Sequence, residues 1–471
     1  MVAHRAVNPL TMGFMAFSRT QSIYVALSPE HIWDLLTDPH AWVQFDDQLQ
    51  HFSPEAMAGN RLDVGDRVKV VPKALLRGFL HAATAPAATI VTVEPEHELA
   101  WRQDQPGGHT KQRWMLEPAD DNGTTLTRHI EVVGPLAAPL GAALAAPLTA
   151  DLGVVGARMM RMASDGPDRE QPLNIIAGGS GYLGSRLATR LLASGQRAVV
   201  LTRSPKTDAP YPQVRWGADD LEPLHEQLLD DAGFNIINLV GKRIGNKLTA
   251  QEIQKLTASR VEPLATLRAA VERAQAQGGK LHRWIQGSAV PLWHPESTRE
   301  FTETTSPTAA QDGAQGMGQI VSDWETAAPE GATMLRTGVV IGQATEITYG
   351  LTAMALSRTR PSVDGYLPWI HEDDWVRLVQ HLLSMSSPPE TVVAVAPQQT
   401  RLSEAIHALA PGLGTRTIPL PTLLLRTGMT LIGMEPGMLL GSTRARSEIV
   451  EELGFEFRFP TIAQAADAVR V

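Results

Sequence analysis

After residue 172 the chain alternates between short runs that are apolar at nearly every position and longer stretches that are apolar every third or fourth. The runs "LNIIAGG", "QRAVVLTR", "FNIINLVG" and "LHRWIQGSA" predict buried strands. Between them, "GYLGSRLATRLLASG" and "TAQEIQKLTASRVEPLATLRAAVERAQAQG" predict helices. Strand and helix in alternation imply a parallel sheet covered by helices on both faces.

Before residue 164 the period is different. "SRTQSIYVAL" alternates like a strand. "SPEHIWDLLTDPHAWVQF" then predicts a helix, with Ser28 as N-cap, Pro29 at its first position, and Ile32, Leu35 and Leu36 on one face. "DRVKVVP", "TIVTVEP", "ELAWRQD", "TKQRWMLEPA" and "TTLTRHIEVV" predict further strands, separated by turn signals such as "DDNG". An Ala/Leu-rich helix, about 137 to 162, closes the region. The polar segment "SDGPDREQP", 164 to 172, has the character of a linker between 17–163 and 173–471.

Composition narrows the function classes. A chain of 471 residues, 43% hydrophobic, suits two or three packed domains. A formal charge of -9 argues against nucleic acid and anionic membrane surfaces as partners. With no cysteine there is neither a disulfide nor a thiol nucleophile, and a metal would need His, Asp or Glu alone. The apolar stretch 136–160 is broken by Pro139, Pro147, Asp151 and Arg158, a poor membrane span. The N-terminus shows no signal-peptide pattern, so a soluble cytoplasmic protein is expected.

The densest chemical signal is "NIIAGGSGYLGSRLATRLLASG", 174 to 195, with Gly178, Gly181 and Gly184 spaced G-x-x-G-x-x-G between a strand and a helix. Glycine there permits a tight turn, backbone approach to a pyrophosphate, and close helix packing. The helix start then offers free N–H groups to the phosphates, those of Tyr182 and Leu183 included. An NAD site has an acidic residue at the end of the second strand. Here Thr202, Arg203 and Ser204 stand there, and the planar guanidinium of Arg203 suits a 2′-phosphate. NADP is the expected cofactor, with NAD the alternative.

In order along the chain, the glycine turn, "NLVG" (238–241), "SRV" (259–261), "GSAV" (287–290), "WE" (324–325), "LRTGVVIG" (335–342), "WIHEDD" (369–374) and "GFEFRFP" (454–460) together resemble the extended short-chain dehydrogenase/reductase family. The nearer likeness is to its nucleoside-diphosphate sugar epimerase-like branch, over about 172–471. The resemblance implies an NAD(P)-binding Rossmann core with a small C-terminal substrate lobe taking a small-molecule substrate. It implies Asn238, Val240 and Gly241 beside the cofactor at the end of the fourth strand, and Ser288 at the end of the fifth. Trp369 and His371 would face substrate, and Asp373 would hold a loop.

Hydride-transfer members use Ser with Tyr-x-x-x-Lys: Tyr exchanges the proton, Lys tunes Tyr, and Ser bonds the substrate oxygen. The residues four positions after Tyr24, Tyr182, Tyr211, Tyr349 and Tyr366 are Ser28, Arg186, Arg215, Ala353 and Ile370, and Lys280 is the last lysine. After Ser288 comes "PLWH" (291–294), without the tyrosine that the branch often carries. Three readings stay open. Ser288, His294, Asp323 or His371 supplies the proton; the cofactor serves other chemistry; or the dinucleotide is bound without turnover.

The N-terminal order of strand, helix, antiparallel strands and long final helix resembles the START-like or polyketide-cyclase/dehydrase superfamily, an α+β helix-grip fold, over about 17–163. That resemblance implies an apolar cavity and a hydrophobic ligand. Trp33, Trp42, Trp101 and Trp114 either line it or pack as ordinary core. The expected functions are therefore an epimerase-like or oxidoreductase NAD(P)-binding protein with an appended hydrophobic-ligand domain, or a noncatalytic dinucleotide- and lipid-binding protein.

Overall fold

The computed structural model describes residues 16–73, 86–105, 107–119, 121–134, 151–163, 168–217, 221–244, 248–291, 300–307, 316–343, 345–409, 417–421, 423–425, 427 and 441–469. The chain divides into two compact units: 1–167 with 192–195 and 471, and 168–191 with 196–470.

The first unit holds a seven-stranded antiparallel sheet. Its strands are β1 (Ala16–Val25), β2 (Leu49–Ala56), β3 (Arg67–Pro72), β4 (Ala88–Glu94), β5 (Glu98–Gln105), β6 (Gly108–Pro118) and β7 (Thr124–Val133). The order β1-β7-β6-β5-β4-β3-β2 is a meander whose first strand returns to pair with the last, Ala16 opposite Val133. Strict alternation of buried and half-buried residues along β7 gives the sheet one packed face. Asn122, with φ at 61°, turns the chain between β6 and β7.

Ser28 caps the helix Pro29–Thr37 by accepting a hydrogen bond from the His31 N–H, an arrangement worth about 1 kcal/mol. The expected single helix through Phe45 is two. It stops at Asp38, held extended at ψ 109° by the following Pro39, and a short helix resumes at Trp42–Phe45. Of the closing helix expected over 137–162, Leu152–Met162 is helical, and 137–150 lies outside the described residues. The core is aromatic. Trp42 stacks on Phe52 at 4.6 Å and meets Trp101 and Trp114 edge-on at 5.1 and 5.3 Å. Trp42, Trp101 and Trp114 are thus buried against one another as core, while Trp33 packs partly buried at the edge of the same cluster. Asp46 and Arg128, both fully buried here, form an ion pair at 2.7 Å, with the guanidinium over the Trp114 ring.

The second unit is built on β8 (Leu173–Ala177), β9 (Ala198–Thr202), β10 (Gln213–Arg215), β11 (Phe234–Asn238), β12 (Leu281–Ala289), the short β13 (Glu300–Phe301), β14 (Thr333–Thr337) and a last strand Thr391–Ala394. Without β13 these form one parallel sheet, ordered β10-β9-β8-β11-β12-β14 and then the last strand. Every residue of β8, β9 and β11 is buried, as a sheet covered on both faces requires. The chain runs outward from β8 to β10, then returns to lay β11 on the other side of β8. That reversal opens a crevice at the carboxyl ends of β8 and β11, where open α/β sheets bind ligands.

A smaller C-terminal lobe is stitched by short pairs: 339–341 with 369–371, 359–361 with 418–420, and 366–367 with 400–401. Its core includes Ile341, Leu367, Trp369, Leu402, Ile406 and Ile462. Among the described residues no helix is long and apolar enough to cross a membrane.

At the amino end of the sheet Arg197 forks onto both oxygens of Asp230 and donates to the Gln171 carbonyl at 3.1 Å. The Arg197 hydrogen bonds hold the Asp230 carboxyl below its usual range. A carboxyl depressed in the folded state stabilises above its unfolded value, about 3.9, and that contribution is lost as pH falls through the folded value. Asp230→Asn is therefore expected to melt lower than wild type at neutral pH, with the gap narrowing below about pH 4. Thermal unfolding followed across acid pH checks this, and a constant gap contradicts it.

Candidate functional site

The turn after β8 needs glycine for reasons visible in the backbone. Gly178 has φ at +78°, and a Cβ there would lie 2.7 Å from the Leu239 carbonyl carbon, just beyond β11. A Cβ on Gly184 would lie 2.5 Å from the Gly179 Cα, so the helix Tyr182–Ala193 touches the turn backbone to backbone. The Gly181 N–H donates to the Gly178 carbonyl at 3.0 Å, and Gly181 itself is exposed. The result is a tight turn at a helix N-terminus, with Gly181 exposed and Tyr182 and Leu183 half-buried, the form that receives a pyrophosphate. It lies at the reversal point of the sheet.

Asn238, fully buried, spends its side chain inside the fold. Its amide donates to Gln286 on β12 at 3.1 Å, and its oxygen accepts the Val240 N–H at 3.2 Å. It shapes the loop that presents Val240, half-buried, and Gly241, exposed, at the crevice. Arg203 follows β9 directly, is exposed, and forms no ion pair among the described residues.

Ser288 is at the end of β12 as expected, 5% exposed. Its hydroxyl donates to Glu325 Oε1 at 2.6 Å. Glu325 in turn accepts from Nε and Nη2 of Arg336 on β14, both at 2.8 Å, and Arg336 Nη1 donates to the Glu303 and Thr305 carbonyls. The serine proton is thus committed to an ion-paired carboxylate. The sequence signals for Glu325 and Arg336 are the "WE" and "LRTG" motifs, which carry no sign that either residue meets Ser288. Asp323 accepts from Gln319 at 2.6 Å on the same helix, Met317–Thr326. His294, with Leu292 and Trp293, lies outside the described residues.

His371 caps the helix Glu372–Ser384: its Nδ1 accepts the Asp373 N–H at 3.2 Å, and its ring lies 3.9 Å from that of Phe459. Burial pushes its pKa down, so it is a neutral imidazole at pH 7, and Nε2 has no partner among the described residues. At 3% exposure it faces packed protein. Trp369, fully buried, donates to Thr400 at 2.9 Å. The loop-holding carboxylate is Asp374 rather than Asp373: it accepts the Arg458 and Phe459 N–H groups, both at 2.8 Å. Asp373 instead pairs with Arg190 at 2.9 Å. Glu372 accepts from the Tyr182 hydroxyl and pairs with Arg186 at 3.4 Å. The first turn of this helix therefore grips the helix that follows the glycine turn.

Residues 16–160 match the family model described as polyketide cyclase / dehydrase and lipid transport, and residues 420–469 match a domain of unknown function (DUF1731). The chain is 28% identical over 309 residues to the epimerase family protein SDR39U1 of Bos taurus, covering 63% of this chain and 98% of that one. It is 27% identical over 310 residues to the epimerase family protein ML0860 of Mycobacterium leprae, covering 62% and 93%. The crystal structure of human epimerase family protein SDR39U1 with NADPH superposes with a TM-score of 0.50 at 21% identity, over 63% of this chain and 98% of that one. The nucleoside-diphosphate sugar epimerase of Corynebacterium glutamicum gives 0.54 at 19% identity, over 96% and 89%. The α/β part thus has the Rossmann-like fold of these epimerase-family structures, and the N-terminal part has a START-like fold, in keeping with its match to the polyketide cyclase / dehydrase and lipid transport model.

Proposed function

We propose that residues 173–471 bind an NADP-type dinucleotide at the crevice between β8 and β11, as part of an epimerase-like protein. The observation that carries this is the close-packed turn of Gly178, Gly181 and Gly184 at a helix N-terminus, where a Cβ on Gly178 or Gly184 would strike neighbouring backbone. The similar human protein crystallised with NADPH supports it. In this reading the N–H groups at Tyr182 and Leu183 hold the pyrophosphate, Val240 and Gly241 line the opposite wall, and Arg203 holds the 2′-phosphate. The bound dinucleotide would supply hydride transfer. This chain's contribution is to bind and orient it, since neither Tyr-x-x-x-Lys nor any lysine after Lys280 is present. Titration of the full chain with NADPH and NADH tests this. Arg203→Ala is expected to weaken NADPH binding by about tenfold, the value of one charge-assisted contact, and to leave NADH unchanged. Equal loss for both would remove Arg203 from the site.

A second reading, binding without turnover, is favoured by the Ser288 hydroxyl, whose proton goes to Glu325 rather than toward a substrate oxygen. Steady NADPH absorbance on adding sugar nucleotides agrees with it, and oxidation of NADPH refutes it.

For residues 17–163, joined through 164–172, the polyketide cyclase / dehydrase and lipid transport model supports an apolar ligand. Since Trp42, Trp101 and Trp114 fill space against one another, they are not its wall. Saturable enhancement of an apolar fluorescent probe by the full chain, displaced by fatty acid, checks this.

A further inference from the structure

Three arginines are buried among the described residues of the second unit: Arg186, Arg260 and Arg336. Arg186 meets Glu372 and Arg336 meets Glu325. Arg260, 8% exposed in the helix Ala250–Ala276, meets no carboxylate among the described residues. Its guanidinium donates only to neutral oxygens: the Leu256 carbonyl at 3.0 Å, the Lys242 carbonyl at 3.1 Å and Ser259 Oγ at 3.3 Å. One face lies over the Trp324 ring, 5.1 Å from its centre. The nearby Glu252 is taken by Lys242 at 2.6 Å. Burial alone draws the Arg260 pKa down to about 10, so it remains a cation at pH 7. A buried charge with only neutral partners is costly to keep.

Its position suggests what the charge is for. Gly241 leaves the space the guanidinium occupies, since a Cβ there would lie 3.0 Å from Arg260 Cζ. Gly241 belongs to the loop after β11, whose first residues, Leu239 and Val240, touch Gly178 in the glycine turn. This cation, without a carboxylate partner among the described residues, therefore lies against the loop after β11, one side of the crevice. Protein sites tolerate such a cost where a ligand completes the arrangement.

We propose that Arg260 receives an anionic oxygen, phosphate or carboxylate, of a ligand docking against the loop Val240–Lys242. The inference takes its location from the dinucleotide reading but not its chemistry. Two sources share that chemistry: a phosphate of the dinucleotide itself, and an anionic group on a second small molecule.

The test uses the full chain, with Arg260→Met and Arg260→Lys, in low-salt buffer free of phosphate. Without ligand, Arg260→Met is expected to melt no lower than wild type, because the variant relieves an unpaired buried charge. If the dinucleotide is the source, Arg260→Met weakens NADPH binding by about tenfold or more. If a second ligand is the source, NADPH binding is unchanged, and inorganic phosphate added over saturating NADPH raises the melting temperature of wild type but not of Arg260→Met. The proposal is overturned if the Met variant matches wild type in both NADPH affinity and phosphate response. It is equally overturned if Arg260→Met melts several degrees lower without ligand and Arg260→Lys restores it, which would make the residue a brace for the Lys242 carbonyl. Failure of wild type to bind NADPH would sink the dinucleotide reading alone, because the phosphate arm, run without NADPH, still reports on Arg260.

Discussion

Asp46→Leu is expected to destabilise the N-terminal unit by about 3–5 kcal/mol, the cost of breaking a buried ion pair from one side. The carboxylate is fully buried and accepts Arg128 Nη2 at 2.7 Å and the Gln48 N–H at 3.1 Å. Without it, the Arg128 guanidinium stays inside, over the Trp114 ring, with its compensating charge removed. The pair as a whole is a different matter: replacing both partners by apolar residues of similar volume is often neutral. Asp46→Leu/Arg128→Met is accordingly expected to recover most of the loss. Urea unfolding followed by tryptophan emission measures both, since Trp42, Trp101 and Trp114 surround the pair's neighbourhood. A single-variant loss below about 1 kcal/mol, the size of an exposed pair, would mean the charges reach water.

Gly184→Val is expected to abolish NADPH binding, lowering affinity by about a hundredfold or more, the value of several charge-assisted phosphate contacts. The valine Cβ would start 2.5 Å from the Gly179 Cα and 2.8 Å from the Gly178 carbonyl. Neither neighbour is a side chain that can swing away, so the helix must move off the turn. The N–H groups of Tyr182 and Leu183 then no longer converge on one anion. Calorimetric titration with NADPH checks this, with far-UV circular dichroism confirming that the rest of the sheet persists. Retained binding would place the dinucleotide elsewhere.

The glycine turn and the strands around it were legible because their causes are local. A strand buried on both faces shows as a run apolar at most positions, and β8, β9 and β11 are such runs, with Asn174, Asn235 and Asn238 the polar exceptions in β8 and β11. The break after Thr37 was also legible, in Pro39, but an apolar pattern continuing through Trp42 and Phe45 masked it. β2 was not legible. Its sequence LQHFSPEA carries a proline and no alternation, and only Leu49 and Phe52 are buried. It is a strand because it pairs with β3 at the sheet edge, where a proline is tolerated.

In the candidate site, residue positions were legible and residue partners were not. Ser288 and Glu325 are 37 positions apart, and Tyr182 and Glu372 are 190 apart. No local pattern announces such a bond. These motifs nevertheless turn out to be halves of contacts: "GSAV" with "WE", "WE" with "LRTG", the lysine that follows "NLVG" with "SRV", and "WIHEDD" with both the glycine helix and "GFEFRFP". The His371 role depended on the same blindness. Only the fold shows that its Nδ1 is used to cap a helix and that its ring lies 3.9 Å from that of Phe459.

The return of β1 to β7 sets how early in synthesis the sheet can be completed. Thr20 and His129 share a hydrogen bond across 109 positions, and Ala16 pairs with Val133. A nascent chain emerging from the ribosome exposes β1 first and its partner last, so the sheet's final seam cannot close until β7 has cleared the exit tunnel. Throughout that interval β1 presents an unpaired edge, the kind that invites wrong partners or a holding chaperone. Relocating the β1 segment to follow β7 directly would remove the wait, since the two strands would then leave as a hairpin with a short loop to close.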